Sequence, residues 1–359
     1  MIKQLSNTAR NNHLILNTFF VFLVFLKLLV LLVTDFNAKP AIEVVRLQHM
    51  SLSNLDFQEI IENFTFSVYS VVTYPLYFFM ESSIFATRVF NIFVNFLILV
   101  ILSKYINRIH SARYLLLISL YPALSYYSVY ELRDVFLSFL ILIFVLRFAS
   151  ARTYRDALIF LFFGILITIT RPELNIGLII TIMAIILTYR QINIKLRLLL
   201  FSLSLFLASV LFFEVSSTLS ELSFLDYYQA RAKIQYINNG SGSSVLNYKD
   251  IIENGFTLSV IFKGMFFLYF PFFNPNLELG KKLFYSVDSL FFIYIFIKSL
   301  TVKIDREYVN RFRVVRLYLL SNVFIFSFFI SNYMNFLRVK IPLVVGLIAL
   351  LLYFSKKYK

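Results

Sequence analysis

Three charges and three tyrosines crowd into nine residues, Tyr126-Tyr127-Ser128-Val129-Tyr130-Glu131-Leu132-Arg133-Asp134. A carboxylate of this kind can take the proton of a hydroxyl. A guanidinium beside it can grip a phosphate through two parallel hydrogen bonds. A plainer role competes: acidic residues complement the dipole of a helix N-terminus, and Arg can snorkel towards water. A bare connector between two apolar runs needs no such density, so Glu131 and Asp134 stand as candidate bases, Arg133 as a phosphate ligand and Tyr127 as a ring on which a substrate packs.

Further candidates recur along the chain. Arg171 precedes Pro172 and Glu173, where the proline stops a helix and the cation meets its C-terminal dipole. Arg231 lies in Gln229-Ala230-Arg231-Ala232-Lys233, just before the Gly/Ser/Asn-rich tract 238–244. Lys263 interrupts the apolar run 258–266, and Asn335, Arg338 and Lys340 fall in 331–342 before an apolar stretch. Asp56, Glu59 and Glu62 repeat at helical spacing, which suits either a solvated helix face or, at Asp56, a general base. Metal chemistry has little to work with. Cys is absent, and His13, His49 and His110 lie in separate regions. Neither a metal nor a cofactor is expected.

The elements that must position these groups are membrane helices. The chain is 60% hydrophobic with a mean hydropathy of +0.79, more apolar surface than a water-soluble domain of 359 residues can bury. Ten stretches have bilayer-spanning length or slightly less: 12–34, 84–103, 112–130, 132–148, 157–171, 174–189, 198–213, 283–300, 315–331 and 339–354. The first reads as an anchor helix, being too long for a cleaved leader and without a small-residue cleavage site. Tyr, used 23 times, must supply the interfacial belt, because Trp is absent.

Basic residues occupy every second gap. They are Lys104, Arg108 and Arg113, then Arg147, Arg152 and Arg155, then Arg190, Lys195 and Arg197, then Lys303 with Arg306, Arg311, Arg313 and Arg316. The positive-inside rule puts these gaps and both termini in the cytoplasm. It also explains most of the net charge of +15 without nucleic acid. Two more apolar runs, 64–80 and 256–273, each carry proline, and either one alone as a span would send later basic loops outside. They are expected to be re-entrant or interfacial, within the outer loops 35–83 and 214–282. The expected fold is therefore an all-α integral membrane protein, a single polytopic domain over 1–359, with about ten spans and an outward-facing site. The segment 331–342 becomes an outer turn, so its two cations break the positive-inside bias.

Four stretches give the chain a resemblance to known membrane enzymes. They are Pro75-Leu76-Tyr77 with Arg88-Val89-Phe90-Asn91, Tyr121-Pro122-Ala123-Leu124-Ser125-Tyr126-Tyr127-Ser128 running into Glu131-Leu132-Arg133-Asp134, Phe270-Pro271-Phe272-Phe273-Asn274-Pro275, and Asn335-Phe336-Leu337-Arg338-Val339-Lys340-Ile341-Pro342. In these the chain resembles the GT-C-like glycosyltransferases and the Wzy-type oligosaccharide repeat-unit polymerases of bacterial surface-polysaccharide assembly (O-antigen, lipopolysaccharide or capsule). The family's acidic pair in the first outer loop has no adjacent counterpart here, only Asp35 and Asp56.

The resemblance implies a multi-pass protein of the bacterial inner membrane. It implies transfer of a polyprenyl-pyrophosphate-linked glycan to an acceptor sugar on the outer face, without a metal. Arg133, Arg171, Arg231 and Arg338 would meet the pyrophosphate, Asp56, Glu131 or Asp134 would act as base, and Lys263, Tyr127 and Asn335 would line the substrate. Membrane lipid and other polysaccharide-assembly proteins would be its partners. A transferase using a polyprenyl-phosphate monosaccharide is the alternative within the class. A lipid-linked-glycan flippase or transporter is the alternative outside it, and predicts charges spread deep along several helices. The spans here are nearly uncharged, with Lys27, Asp288 and Lys298 the main exceptions.

The orientation is testable directly, because the natural chain has no Cys. Single cysteines placed at Gly240–Ser244 or at Asp56 should react with an impermeant thiol reagent added outside intact cells. A cysteine at Arg311 should not, and its labelling would invert the topology.

Overall fold

A chain in lipid has no water for its N–H and C=O groups, so apolar runs close their backbone bonds internally as helices. In the computed structural model, every regular element among the described residues is helical. The residues described are 18–31, 69, 72–73, 76, 83–104, 119, 121–129, 133–150, 159, 162–167, 170–171, 174, 179, 258–275, 277–304, 306–329 and 333–355. The helices are α1 (Thr18–Leu31), α2 (Ser83–Ser103), α3 (Pro122–Tyr127), α4 (Asp134–Ser150), α5 (Leu258–Tyr269), α6 (Leu279–Thr301), α7 (Arg306–Phe329) and α8 (Tyr333–Ser355). Among the described residues, three segments are long and apolar enough to cross a membrane: Phe85–Ser103, Leu279–Thr301 and Tyr333–Phe354.

α6 has the inverted polarity of a helix that faces lipid. Leu283, Val287, Leu290, Tyr294, Ile297 and Leu300 are exposed at helical spacing. Asp288, Ser289 and Ser299 are turned in and buried. α8 is the opposite case, with 89% of its apolar window inside the protein.

The chain divides into two compact units, each assembled from separated segments. Unit 1 takes residues 1–171, 303–312 and 348–359, and unit 2 takes residues 172–302 and 313–347. In unit 1, α2 packs along α4, and Tyr69, a helical residue of the segment before α2, packs against both. The rings of Tyr69, Phe90 and Phe136 form a triangle with centroids 5.9–6.1 Å apart. The Tyr69 hydroxyl donates to Asn91 Oδ1 at 3.0 Å. The segment after α4 returns antiparallel to it. Gly164 lies against Phe144 in mid-helix, while Arg171 meets Asp134 at the helix start. Arg311 donates to the Ala149 carbonyl in the last turn of α4, a group with no N–H partner within the helix.

Unit 2 is built around the C-terminal end of α5, which closes at Tyr269. Pro271 follows it and opens a 3-10 turn, Pro271–Phe273. Proline has no N–H, so the Phe267 carbonyl loses the partner that position 271 would otherwise supply. The Tyr333 hydroxyl fills that place at 2.9 Å and accepts from Asn274 Nδ2 at 3.1 Å. Ser289 of α6 donates to the next carbonyl, Leu268. At the far end of α6, Arg316 donates to the Ser299 carbonyl at 2.9 Å.

The expectation of a turn at 331–342 is corrected here. α8 begins at Tyr333, so Asn335, Arg338 and Lys340 are helical, and Pro342 lies inside the helix. Hydropathy dips at these residues, but their polar groups are turned into the protein or its edge, and lipid need not solvate them. A bundle interior tolerates the carbonyl that an internal proline leaves unbonded.

Tyr333→Phe should lower the unfolding midpoint of the detergent-solubilised protein, at a cost of about 1–3 kcal/mol, since it removes the hydroxyl's bond to the Phe267 carbonyl and one bond of the Asn274 amide. Ser289→Ala, which removes a longer 3.4 Å bond, should cost less. Equal midpoints for Tyr333→Phe and wild type would mean that the hydroxyl does not cap α5.

Candidate functional site

Asp134 opens α4 and is fully buried. Its carboxylate forms an ion pair with the Arg171 guanidinium, which is also buried. The local structure explains both positions. Asp134 sits at a helix N-terminus, where the dipole favours an anion. Thr170 is helical, Arg171 is not, and the Arg171 N–H bonds back to the Ile167 carbonyl at 2.8 Å. Arg171 therefore sits where the dipole favours a cation. The two helix ends run in opposite directions side by side, so each charge is stabilised by its own helix and by its partner. The Ser138 hydroxyl donates to the Asp134 carbonyl one turn on.

Two of the sequence candidates are thus joined. Arg133 precedes Asp134 and is half-buried, while Tyr127 closes α3, is buried, and meets Tyr126 edge-on at 5.3 Å. In unit 2, Asn335 and Arg338 are half-buried on α8 and Lys263 is exposed on α5. Asp56, Glu131 and Arg231 lie outside the described residues.

The second buried pair was not joined by sequence reasoning. Asp288, the tenth residue of α6, pairs with Lys340, the eighth of α8. Both are essentially inaccessible, at 0% and 1% exposure. They lie about 10–14 Å along their helices from the N-termini. The Lys340 ammonium is 5.0 Å from the Phe336 ring centroid and 5.8 Å from that of Phe292, within cation–π range. Tyr269 meets Phe336 edge-on at 5.4 Å, and Tyr285 stacks on Tyr333 at 4.8 Å. Moving from Tyr285 to Asp288 on α6 corresponds to moving from Tyr333 to Lys340 on α8, so the two helices run parallel. The signal for the pair was present but divided. Asp288 is the lone acid of the apolar run 283–300, and Lys340 stands out only through the expected topology, in which it breaks the charge bias. Nothing in the spacing says that residues 52 apart meet.

α2 carries the third group. Thr87, Arg88, Asn91 and Asn95 are all buried, and the Asn95 Oδ1 has no hydrogen-bond partner. Among the described residues, no group of three His, Cys, Asp or Glu side chains could hold a metal ion. No family model matches the chain, and no curated protein or solved structure matches it.

The buried charged residues among those described are Arg88, Asp134, Arg171, Asp288 and Lys340. Four of them fall within the first ten residues of α2, α4, α6 and α8, and Arg171 meets the start of α4. In each unit the buried charge on these helices therefore lies in their N-terminal halves.

Removing one member of a buried pair strands the other charge, at a cost of about 3–5 kcal/mol, while replacing both by apolar residues of similar volume is often neutral. Asp288→Leu and Lys340→Met should each cut accumulation and the unfolding midpoint sharply, and the double variant should recover most of both. Single variants as stable as wild type would show that Asp288 and Lys340 are not an ionised pair.

Proposed function

We propose that the chain is a ten-span inner-membrane glycosyltransferase with both termini in the cytoplasm. It extends surface polysaccharide by moving a glycan from polyprenyl pyrophosphate to an acceptor sugar at the outer face. The single observation that carries this reading is the one-sided placement of buried charge. Under the basic-loop orientation, α2, α4, α6 and α8 all begin on the outer side. That orientation would turn the buried charge of each unit, Arg88, Asp134 and Arg171 in unit 1 and Asp288 and Lys340 in unit 2, towards the outer side. A transporter must carry polar contacts across the whole depth, whereas a transferase for a lipid-linked sugar needs them only where the head group emerges.

The reaction requires three things of the chain. A carboxylate takes the proton of the acceptor hydroxyl as its oxygen bonds to the sugar C1. The bond from C1 to the phosphate oxygen breaks, and polyprenyl pyrophosphate departs with the electron pair. Guanidinium groups placed for that departing charge lower the barrier. Arg133 and Arg171 in unit 1 and Arg338 in unit 2 are the candidates for such groups among the described residues, and Arg231 is the candidate outside them. Asp134 is held by Arg171, so its better role is to orient that guanidinium, which leaves Asp56 or Glu131 as base. Lys263, Tyr127 and Asn335 line the sugar.

The protein reconstituted in lipid vesicles with a polyprenyl-pyrophosphate-linked oligosaccharide should yield a ladder of longer lipid-linked chains and free polyprenyl pyrophosphate. A single addition from a polyprenyl-phosphate sugar would select the monosaccharide-transferase alternative. Movement of the lipid-linked glycan between leaflets with no covalent change would select the flippase. In cells, Lys at Arg133, Arg171, Arg231 or Arg338 keeps the charge but loses the planar fork. At least one of the four should abolish long chains at normal protein level. Wild-type chain length in all four would remove the pyrophosphate site.

A further inference from the structure

The polar face of α2 has partners at Thr87, Arg88 and Asn91 and an unbonded amide oxygen at Asn95. Thr87, Asn91 and Asn95 follow one another at four-residue intervals, with Arg88 beside the first. Such spacing places them on one face of the helix. All four are at least 95% buried, while Phe93, on another face, is 53% exposed. Asn91 is committed, accepting from the Tyr69 hydroxyl at 3.0 Å. Asn95 is not: it is 4% exposed, and its Oδ1 is buried without a partner. A buried amide carbonyl left unbonded costs about 1–3 kcal/mol, and a leucine there would avoid the cost. The polar seam also ends. One turn beyond Asn95 the same face continues as Ile98, Leu99 and Leu102, each at most 2% exposed.

We propose that this seam is a dead-ended polar binding site, entered from the N-terminal end of α2, with the Asn95 amide as its floor. Its ligand is the hydroxyl-bearing part of a saccharide head group, an assignment that rests on the glycan-transfer reading above. The chemistry selects that class. An amide offers one acceptor and two donors and carries no charge. A sugar hydroxyl, which both donates and accepts, satisfies it without bringing a charge to bilayer depth. Arg88 lies about 10 Å nearer the mouth, seven residues of helical rise away, where a guanidinium can meet the more strongly polar oxygens of the head group. The Tyr69–Phe90–Phe136 triangle fixes Tyr69 and with it the orientation of Asn91, so the wall of the site is preformed.

The absence of native cysteine makes the seam readable one position at a time. Asn91→Cys and Asn95→Cys should react with 2-sulfonatoethyl methanethiosulfonate added outside vesicles holding the reconstituted protein. Ile98→Cys and Leu102→Cys should react at least roughly tenfold more slowly, because the reaction needs water at the thiol. Polyprenyl-pyrophosphate-linked saccharide should slow labelling at position 95, and polyprenyl pyrophosphate alone should not. If Asn95 were mere packing, Asn95→Leu would be harmless. Here it should accumulate at least as well as wild type, yet weaken saccharide protection of Thr87→Cys by roughly tenfold, the worth of one hydrogen bond. Inert cysteines at 91 and 95, equal labelling through position 102, protection by polyprenyl pyrophosphate alone, or full protection in the Asn95→Leu background would each overturn the site. Saccharide protection without any glycan transfer would keep the site and overturn the enzymatic reading instead.

Discussion

A polar group at bilayer depth has no water to turn to, and that constraint organises each unit of the protein. It is clearest at the end of α5. Pro271 has no N–H to give, so the Phe267 carbonyl is served by the Tyr333 hydroxyl, which Asn274 in turn holds. Tyr333 also stacks on Tyr285 of α6 and begins the helix that carries Phe336 and Lys340. One hydroxyl thus ties the end of α5 to the two helices that bear the buried ion pair. Without it, α5 would end with an open carbonyl. The Asp288–Lys340 pair obeys the same constraint with charge in place of dipole. Neither partner is affordable alone, and together they fix which face of α6 meets α8.

The sequence was readable where hydropathy alone decides. The run 84–103 became α2 with one residue added, 132–148 became α4 shifted by two at each end, and 283–300 lies within α6. It was misread where charge is hidden inside the protein. The last helix was expected to begin at 339 and begins at Tyr333, because Arg338 and Lys340 look like residues that must face water. A hydropathy profile sees the lysine and cannot see Asp288 beneath it. α7 shows the opposite limit. It starts at Arg306, nine residues before its apolar run, because its arginines reach the carbonyls of other helix ends and need not leave the helix.

The candidate site was readable as an inventory and not as a set of pairs. Asp134 and Arg171 were each singled out, one as a base and one as a phosphate ligand. Their contact makes one species of the two and depends on how two antiparallel helices align, which no spacing rule contains. Arg88 drew notice only as part of a short motif. Asn95 drew none, since an asparagine in an apolar run becomes informative only once its burial and missing partner are known.

The two ends of the helices differ in the kind of contact they make. In the C-terminal turns, Ser103, Ser150, Ser299 and Thr301 bond to carbonyls of their own helix, and Arg311 and Arg316 cap the last turns of α4 and α6. These are backbone-closing bonds, complete in themselves. In the N-terminal halves, side chains meet side chains from other elements: Asn91 with Tyr69, Asp134 with Arg171, Asp288 with Lys340, and, beside the start of α8, Asn274 with Tyr333. A side-chain pair can exchange its partner for a ligand without unwinding a helix. A capped carbonyl cannot. Arg311 and Arg316 thus close the C-terminal ends of α4 and α6, and the side-chain pairs that could exchange a partner lie towards the other end of their helices.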